Sequence, residues 1–529
     1  MGYDLPHHYQ CAITFLDSIR TGDLYPSWSL NRNFGFGGME TRLYPPLSHY
    51  SLALAFLLIG NWHLATWLTL FFFTFAGSLG VYLWAREYVK PFHAVFAGSV
   101  FALLPYHLTQ IYNTFFYAEY AGTSFLAFVF LFILRVCRRR RLSDVLGLGI
   151  SYALLILTHL PLTVIGSICF LLFALSLLKR KNCIDQILAL SAGMLIGLGG
   201  SAFFWIKVLQ ERHLLAKTLI YADPWLNYIY HFLATPLQSF TDDVHLSVYE
   251  NATFFYDLMF LCAVGLAFAF SIPTLAAGAK EKLRGLSGVG LVFAAAIFFA
   301  TPFSGPIWDR VILLQELQFP WRWVAIICVV APVIAAHGLE PLLVWFRNSM
   351  RPAALIIVGV LCFVVTFSFF QIVRPAPFIA IADIEPTVAL GETTEGFTFW
   401  WTIWSRKEAF EQKEKVLATG REVQIKAWNS TDREFEILGG DSAAIARAAV
   451  YYHPNWRVSV NGRAVEARPD ENGALIFDIP YETSHVDLRF VEPPAVKIAT
   501  RVSQSVWISL GLLLLFALMN NLNQRRHLN

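Results

Sequence analysis

Apolar residues gather into long runs at 64–85, 92–108, 119–136, 144–158, 160–178, 186–207, 253–276, 287–304, 320–346, 353–373 and 504–521. Each is about long enough to cross a roughly 30 Å hydrocarbon layer as a helix. The pattern predicts a polytopic helical membrane protein with eleven spans. A shorter run, Leu47 to Gly60, follows Pro45 and Pro46 and reads as a helix lying at the outer surface or re-entering it. From about 374 to 503 the period changes to alternation, in Val423-Gln-Ile-Lys-Ala, Glu434-Phe-Glu-Ile-Leu, Trp456-Arg-Val-Ser-Val and His485-Val-Asp-Leu-Arg-Phe. With Asn461-Gly462 and Asn472-Gly473 as tight turns, this predicts a small antiparallel β-sandwich held between helices.

The domain reading is therefore an external loop with surface helices over 1–63, a transmembrane bundle over 64–373, an extracytoplasmic β-sandwich over 374–503, and a final span with a cytoplasmic tail over 504–529. Orientation follows from basic clusters at Arg86/Lys90, Arg138 to Arg141, Lys179 to Lys181, Lys280/Lys282/Arg284, Arg347/Arg351 and Arg525/Arg526. They follow alternate spans and mark one side as cytoplasmic. The chain starts in what reads as an external loop, so a further helix ahead of residue 1 is expected.

Composition agrees: 56% of residues are hydrophobic and only 15% charged, against roughly 25% charged in soluble domains. Disorder, coiled coil and a cytosolic enzyme are excluded, and a formal net charge of +3 offers nucleic acid no large basic surface. Seven cysteines without a CxxC pair give neither a disulfide framework nor a thiolate zinc site. No phosphate-binding Walker loop, HExxH or GxSxG is present.

The unusual polar residues collect on the predicted outer side. Asp4 precedes His7 and His8, a carboxylate beside two imidazoles that suits a general base or half of a metal site; the alternative is a solvated helix start capped by Asp4. Glu119 stands where a span begins, after Tyr106 and His107; a carboxylate facing the bundle there is costly and marks function, or else it complements a helix N-terminus. His159 occupies a very short turn between two spans and either contacts a ligand or is satisfied by a carbonyl. Arg322, in Gln318-Phe-Pro-Trp-Arg-Trp323, suits a phosphate, or snorkels within an aromatic belt.

The succession Asp4-Leu-Pro-His-His, Gly22 to Trp28, Gly35 to Gly38, Tyr44-Pro-Pro-Leu, Pro105-Tyr-His-Leu, Ala118-Glu119, Thr158-His159, Ser201 to Phe204 and Phe319-Pro-Trp-Arg322 resembles bacterial multi-span proteins related to 6-pyruvoyl-tetrahydropterin synthase. Those are similar in turn to YfhO-like membrane proteins and to the GT-C glycosyltransferase superfamily. The pterin in the name implies no pterin chemistry, since no zinc-binding histidine set is visible. The resemblance covers about the first 370 residues, and Tyr451 to Gly462 also looks like the external β-domain of YfhO-like chains. It implies a GT-C-like bundle in the bacterial cytoplasmic membrane, a catalytic acid in the first external loop, and a polyprenyl-phosphate sugar as donor. Asp4 matches that acid by position, and Glu119 and His159 match polar positions of the family pattern. The arginine that often precedes the glutamate is absent here, where the chain reads Phe115-Phe-Tyr-Ala118.

These readings converge on a glycosyltransferase acting at the outer face of the membrane. Asp4 and Glu119 are its expected catalytic residues, and His7, His8, Tyr106, His107, His159 and Arg322 its donor or phosphate contacts. A divalent cation, Mg or Mn, is a possible cofactor; the expected partners are the lipid bilayer, the lipid-linked sugar and a glycan, lipid or protein acceptor. The alternatives are a non-enzymatic transporter or assembly factor for lipid-linked glycans, or a structural envelope protein. Asp4 and Glu119 are expected within roughly 15 Å of each other in one cavity sized for a sugar.

Overall fold

The computed structural model describes all residues except 1–3, 217–222, 236–242, 249, 251–252, 277–284, 349–358, 361–362, 364–365, 375–379, 385–394, 397 and 527–529. It is a mostly helical membrane bundle carrying two antiparallel β-sheets near its C-terminal end. Among the described residues eight helices are long and apolar enough to span a membrane: Trp62–Ala85, Pro91–Tyr112, Tyr117–Arg139, Leu160–Leu177, Arg180–Gly200, Phe254–Ile272, Pro320–Val344 and Pro494–Phe516. The run expected at 287–304 instead bends by 84° between Ser287–Ala300 and Pro302–Trp308. Pro302 supplies no amide to continue the first helix. Of the run expected at 353–373, residues 353–358, 361–362 and 364–365 lie outside the described residues, and 366–373 are helical.

The helices that build the site are α1 (Leu5–Arg20), α2 (Glu40–Leu43), α3 (Leu47–Ile59), α4 (Trp62–Ala85), α5 (Pro91–Leu103), α6 (Pro105–Tyr112), α7 (Tyr117–Arg139), α8 (Leu142–Thr158), α9 (Leu160–Leu177), α10 (Cys183–Gly200) and α11 (Ala202–Glu211). They are followed by α12 (Phe254–Ala276), α13 (Ser287–Ala300), α14 (Val324–Asn348) and α15 (Pro494–Arg526). Helix α3 ends at Gly60, whose φ of 72° closes it with a left-handed cap. Helix α7 is the bundle's centre, buried along most of its length, whereas α4 and α15 expose apolar faces. Pro105 breaks α5 from α6, and Pro161 starts α9 one turn after α8 ends.

The β-sheets are ordered β1-β4-β8-β7 and β2-β3-β9-β5-β6. The strands are β1 (Val416–Ala418), β2 (Val423–Trp428), β3 (Asp432–Ile437), β4 (Ala444–Tyr451), β5 (Trp456–Val460), β6 (Arg463–Val465), β7 (Arg468–Pro469), β8 (Ala474–Ile479) and β9 (Ser484–Phe490). One apolar core between them holds Phe435, Val458, Phe477 and Leu488, and it extends to Trp28, Phe36 and Met39 of the N-terminal loop. Asn461 and Gly462 both have positive φ, 50° and 76°, the turn that the Asn-Gly pair favours between β5 and β6.

The N-terminal loop, the bundle and the β-sheets are locked by one buried ionic cluster. Arg42 in α2 donates bidentately to Glu211 at the end of α11, at 2.8 and 2.6 Å, and to Glu492 just before α15, at 2.6 and 2.9 Å. Lys207 lies 3.3 Å from Glu492, and Asn455 donates to Glu211 at 3.2 Å. Burial pushes both carboxyls up, but hydrogen bonds from His453 and Arg42 on Glu211, and from Arg42 on Glu492, outweigh it. Each carboxyl falls to about 2.

Candidate active site

The site starts from how α7 begins. Phe115 takes a positive φ of 53°, and the loop before α7 accepts the Asp4 amide at the Thr114 carbonyl, 3.2 Å away. This pins the start of the chain beside the first turn of α7, which carries Glu119. Glu119 is 2% exposed and saturated with partners. Its Oε1 accepts from the Tyr106 hydroxyl and from Gln110 Nε2 at 3.1 Å, and its Oε2 from Arg322 Nε at 3.0 Å. His159 Nε2 lies 3.9 Å from the same Oε2.

Each partner is delivered by a local break in the helices. Tyr106 and Gln110 lie four apart on α6, so they share the face turned to α7. His159 sits between α8 and α9, where its extended backbone and Nδ1 cap the Leu162 amide at 3.2 Å. Gly122, one turn past Glu119, lets α7 approach: a Cβ there would lie 2.9 Å from His159 Cβ. Arg322 rides the single turn Pro320–Trp323 ahead of α14, with its guanidinium 4.7 Å from the Phe319 ring and Nη1 donating to the Leu317 carbonyl. Trp321 stacks on Tyr256, Phe319 and Phe116, with ring centroids 3.9, 4.9 and 5.7 Å away.

Asp4 occupies the N-cap position of α1, yet its side chain makes no capping hydrogen bond. Half-buried, its carboxyl is pushed up to about 7: burial raises it most, Arg322 draws it down, and Glu119 raises it again. Asp4, Arg322 and Glu119 therefore act on one another within one electrostatic neighbourhood. His7 and His8 follow on α1, and His8 packs on Phe115 and Tyr117. His8 Nδ1 is 2.9 Å from His49 Nε2, and the His7 ring lies parallel to Trp400 at 6.2 Å. Tyr44 contacts both groups, with ring centroids 5.1 Å from His7 and 5.1 Å from His49. Burial holds His7 and His8 well below the usual imidazole range, so they are neutral. His107 packs on Phe101 and Tyr120, and among the described residues it makes no hydrogen bond to Glu119 or Arg322.

The structure thus brings Asp4, Tyr106, Glu119, His159 and Arg322 together and sets His7 and His8 alongside, while His107 stands apart. Sequence reading missed Gln110, although its spacing of four from Tyr106 was a readable signal. It also missed Tyr44, His49 and Trp400, whose convergence needs long-range folding. Among the described residues no three His, Cys, Asp or Glu side chains are grouped to hold a metal ion, and Glu119 has no oxygen to spare for one.

A family model for the 6-pyruvoyl-tetrahydropterin synthase related domain, a membrane protein, matches residues 41–373. The crystal structure of ArnT from Cupriavidus metallidurans bound to undecaprenyl phosphate is similar at 13% identity and a TM-score of 0.39, covering 73% of this chain and 71% of that one. The apo structure of the same protein is similar at 14% identity, with a TM-score of 0.38 and coverage of 73% and 71%. No curated protein matches the chain.

Proposed function

As the chain belongs to the 6-pyruvoyl-tetrahydropterin synthase related family of membrane proteins, we propose that it is a GT-C-type glycosyltransferase that moves a sugar from a polyprenyl-phosphate donor to an envelope acceptor at the outer face of the membrane. The observation that carries this reading is Asp4: a carboxyl without a capping bond, half-buried, and raised to about 7 chiefly by burial, with Arg322 drawing it down and Glu119 pushing it up. A base with that affinity takes a proton near neutral pH and is still released easily.

In this mechanism Asp4 removes the proton from an acceptor hydroxyl. The acceptor oxygen attacks the anomeric carbon as its bond to the phosphate oxygen breaks, and the lipid phosphate leaves with the electron pair, inverting the anomeric centre. No nucleotide is consumed, because the donor phosphate is itself the leaving group. Arg322, with Nε on Glu119 and Nη1 on Leu317, offers its remaining nitrogen to the phosphate. Glu119 is a positioning residue: with Tyr106, Gln110 and His159 around it, it fixes the plane of Arg322.

The test is transfer of radiolabelled sugar from polyprenyl-phosphate donors by protein purified in lipid, wild type against Asp4→Asn. A loss of about a hundredfold or more is expected for a missing base. Transfer that survives the change refutes Asp4 as the base. Donor binding without transfer by the wild type replaces the enzyme with a carrier or assembly factor for lipid-linked glycans.

A further inference from the structure

The glycine-rich stretch 34–38 takes no part in that reaction, and its conformation shows what it holds. Asn33, Phe34, Gly35 and Gly37 all have positive φ, at 54°, 55°, 92° and 78°. The chain coils back so that the amides of Gly35 and Gly37 both donate to the Arg32 carbonyl, at 3.1 and 2.8 Å. A Cβ on Gly37 would lie 1.9 Å from Trp28 Nε1, and one on Gly38 2.2 Å from Glu40 Oε2. Glycine at 37 and 38 therefore leaves the room in which Arg32 folds inward, onto Glu40.

That pair is under-bonded. Arg32 Nε lies 3.4 Å from Glu40 Oε1, and the two side chains are 3% and 1% exposed. Among the described residues, both Arg32 Nη atoms and Glu40 Oε2 are buried without a hydrogen-bond partner. Arg42, in the same loop, is equally buried but gives every nitrogen to a carboxylate or a carbonyl. A dry guanidinium with an unfilled fork is costly, and its geometry matches a carboxylate or phosphate. Arg32 lies against the segment that leads to Trp400, since a Cβ on Gly396 would be 3.1 Å from Arg32 Nη2, and its charge also acts on His7, whose ring contacts Tyr44 and Trp400. Tyr44 and Trp400 stand 5.5 Å apart, centroid to centroid, and Trp400 is half-buried. Flat rings beside a buried cation are the surfaces against which a charged sugar packs.

We propose that Arg32 anchors a negatively charged substituent, a carboxylate or a phosphate monoester, on the acceptor sugar, which lies against Tyr44 and Trp400. Naming the ligand an acceptor rests on the sugar-transfer reading above; the recognition of charge does not. Glu40 aligns the guanidinium through Nε and tempers its pull.

The test is calorimetric binding to the full chain in lipid nanodiscs, with methyl β-glucuronide, glucose 6-phosphate and neutral methyl β-glucoside as probes. The wild type is expected to bind at least one charged probe about tenfold or more tightly than the neutral one, and which one distinguishes carboxylate from phosphate. Arg32→Gln removes that discrimination, and Glu40→Gln enlarges it. Equal binding of all three probes by the wild type overturns the proposal, and so does undiminished discrimination in Arg32→Gln. Should Arg32→Gln fail to fold, the wild-type comparison and Glu40→Gln decide alone. Undecaprenyl phosphate that displaces the glucuronide, and whose own binding is lost in Arg32→Gln, assigns Arg32 to the donor and overturns the acceptor role. Charge discrimination in a protein that transfers no sugar leaves Arg32 an anion anchor and fails only the sugar-transfer reading.

Discussion

The sharpest expectation concerns the proton on Asp4, because two neighbours act on it with opposite sign. With its carboxyl raised from 3.8 to about 7, Asp4 is about one-tenth ionised at pH 6 and about nine-tenths at pH 8, whereas an ordinary carboxyl is fully ionised at both. Arg322 pulls the value down and Glu119 pushes it up. Arg322→Gln is therefore expected to move the titration to higher pH, and Glu119→Gln to lower pH. The stability sign follows: the folded chain holds this proton more tightly than the unfolded one, so Asp4 makes folding less favourable as pH climbs from 3.8 to about 7, by at most about 4 kcal/mol. Infrared difference titration of the protonated carboxyl, with Asp4→Asn identifying its band, reads this without any substrate. A wild-type midpoint near 4, or two variants shifting in the same direction, would refute the reasoning.

Three other outcomes are expected. Arg42→Gln leaves the buried Glu211 and the half-buried Glu492 without their main partner and costs on the order of 3–5 kcal/mol, seen as a lower melting temperature and as protease cleavage between β9 and α15. Because Glu211 and Glu492 are held near 2, below their ordinary 4.5, their stabilisation is complete above about 4.5 and is lost as pH falls toward 2; the melting temperature should drop across that window, less steeply in Glu211→Gln. Gly37→Ala meets Trp28 and must hold φ at 78°, so it is expected to cost more than about 1 kcal/mol and to loosen the β-sheets from the loop, measured by thermal unfolding.

Much of the fold was legible because a bilayer imposes length and apolarity on every span, and because half-buried strands alternate. Strand β5 occupies Trp456–Val460, as the alternation indicates. Strands β4 and β8 went unread, since β4 is buried at successive positions toward its end and rich in alanine, which carries no alternation. The bend after Ala300 was hidden in a continuous apolar run, where only Pro302 hinted at it. In the site, Asp4, Glu119, His159 and Arg322 stood out as polar groups at the ends of spans, but their meeting did not. Glu119 and Arg322 are 203 positions apart, and no local pattern encodes such a contact. Arg32 and Glu40 escaped notice because, in one dimension, they are ordinary charges flanking glycines.

The Arg42 cluster also dates the molecule's assembly. Its guanidinium is matched by one carboxylate 169 positions later and by another 450 positions later. At the roughly 5–20 residues per second of synthesis, Arg42 waits about 20 to 90 seconds for its last partner. Until then the loop that carries Asp4, Arg32 and Arg42 has no finished seat, so the site is complete only when nearly the whole chain has left the ribosome. A nascent chain halted before Glu492 would carry every residue of the proposed chemistry and still lack the clasp that shuts it.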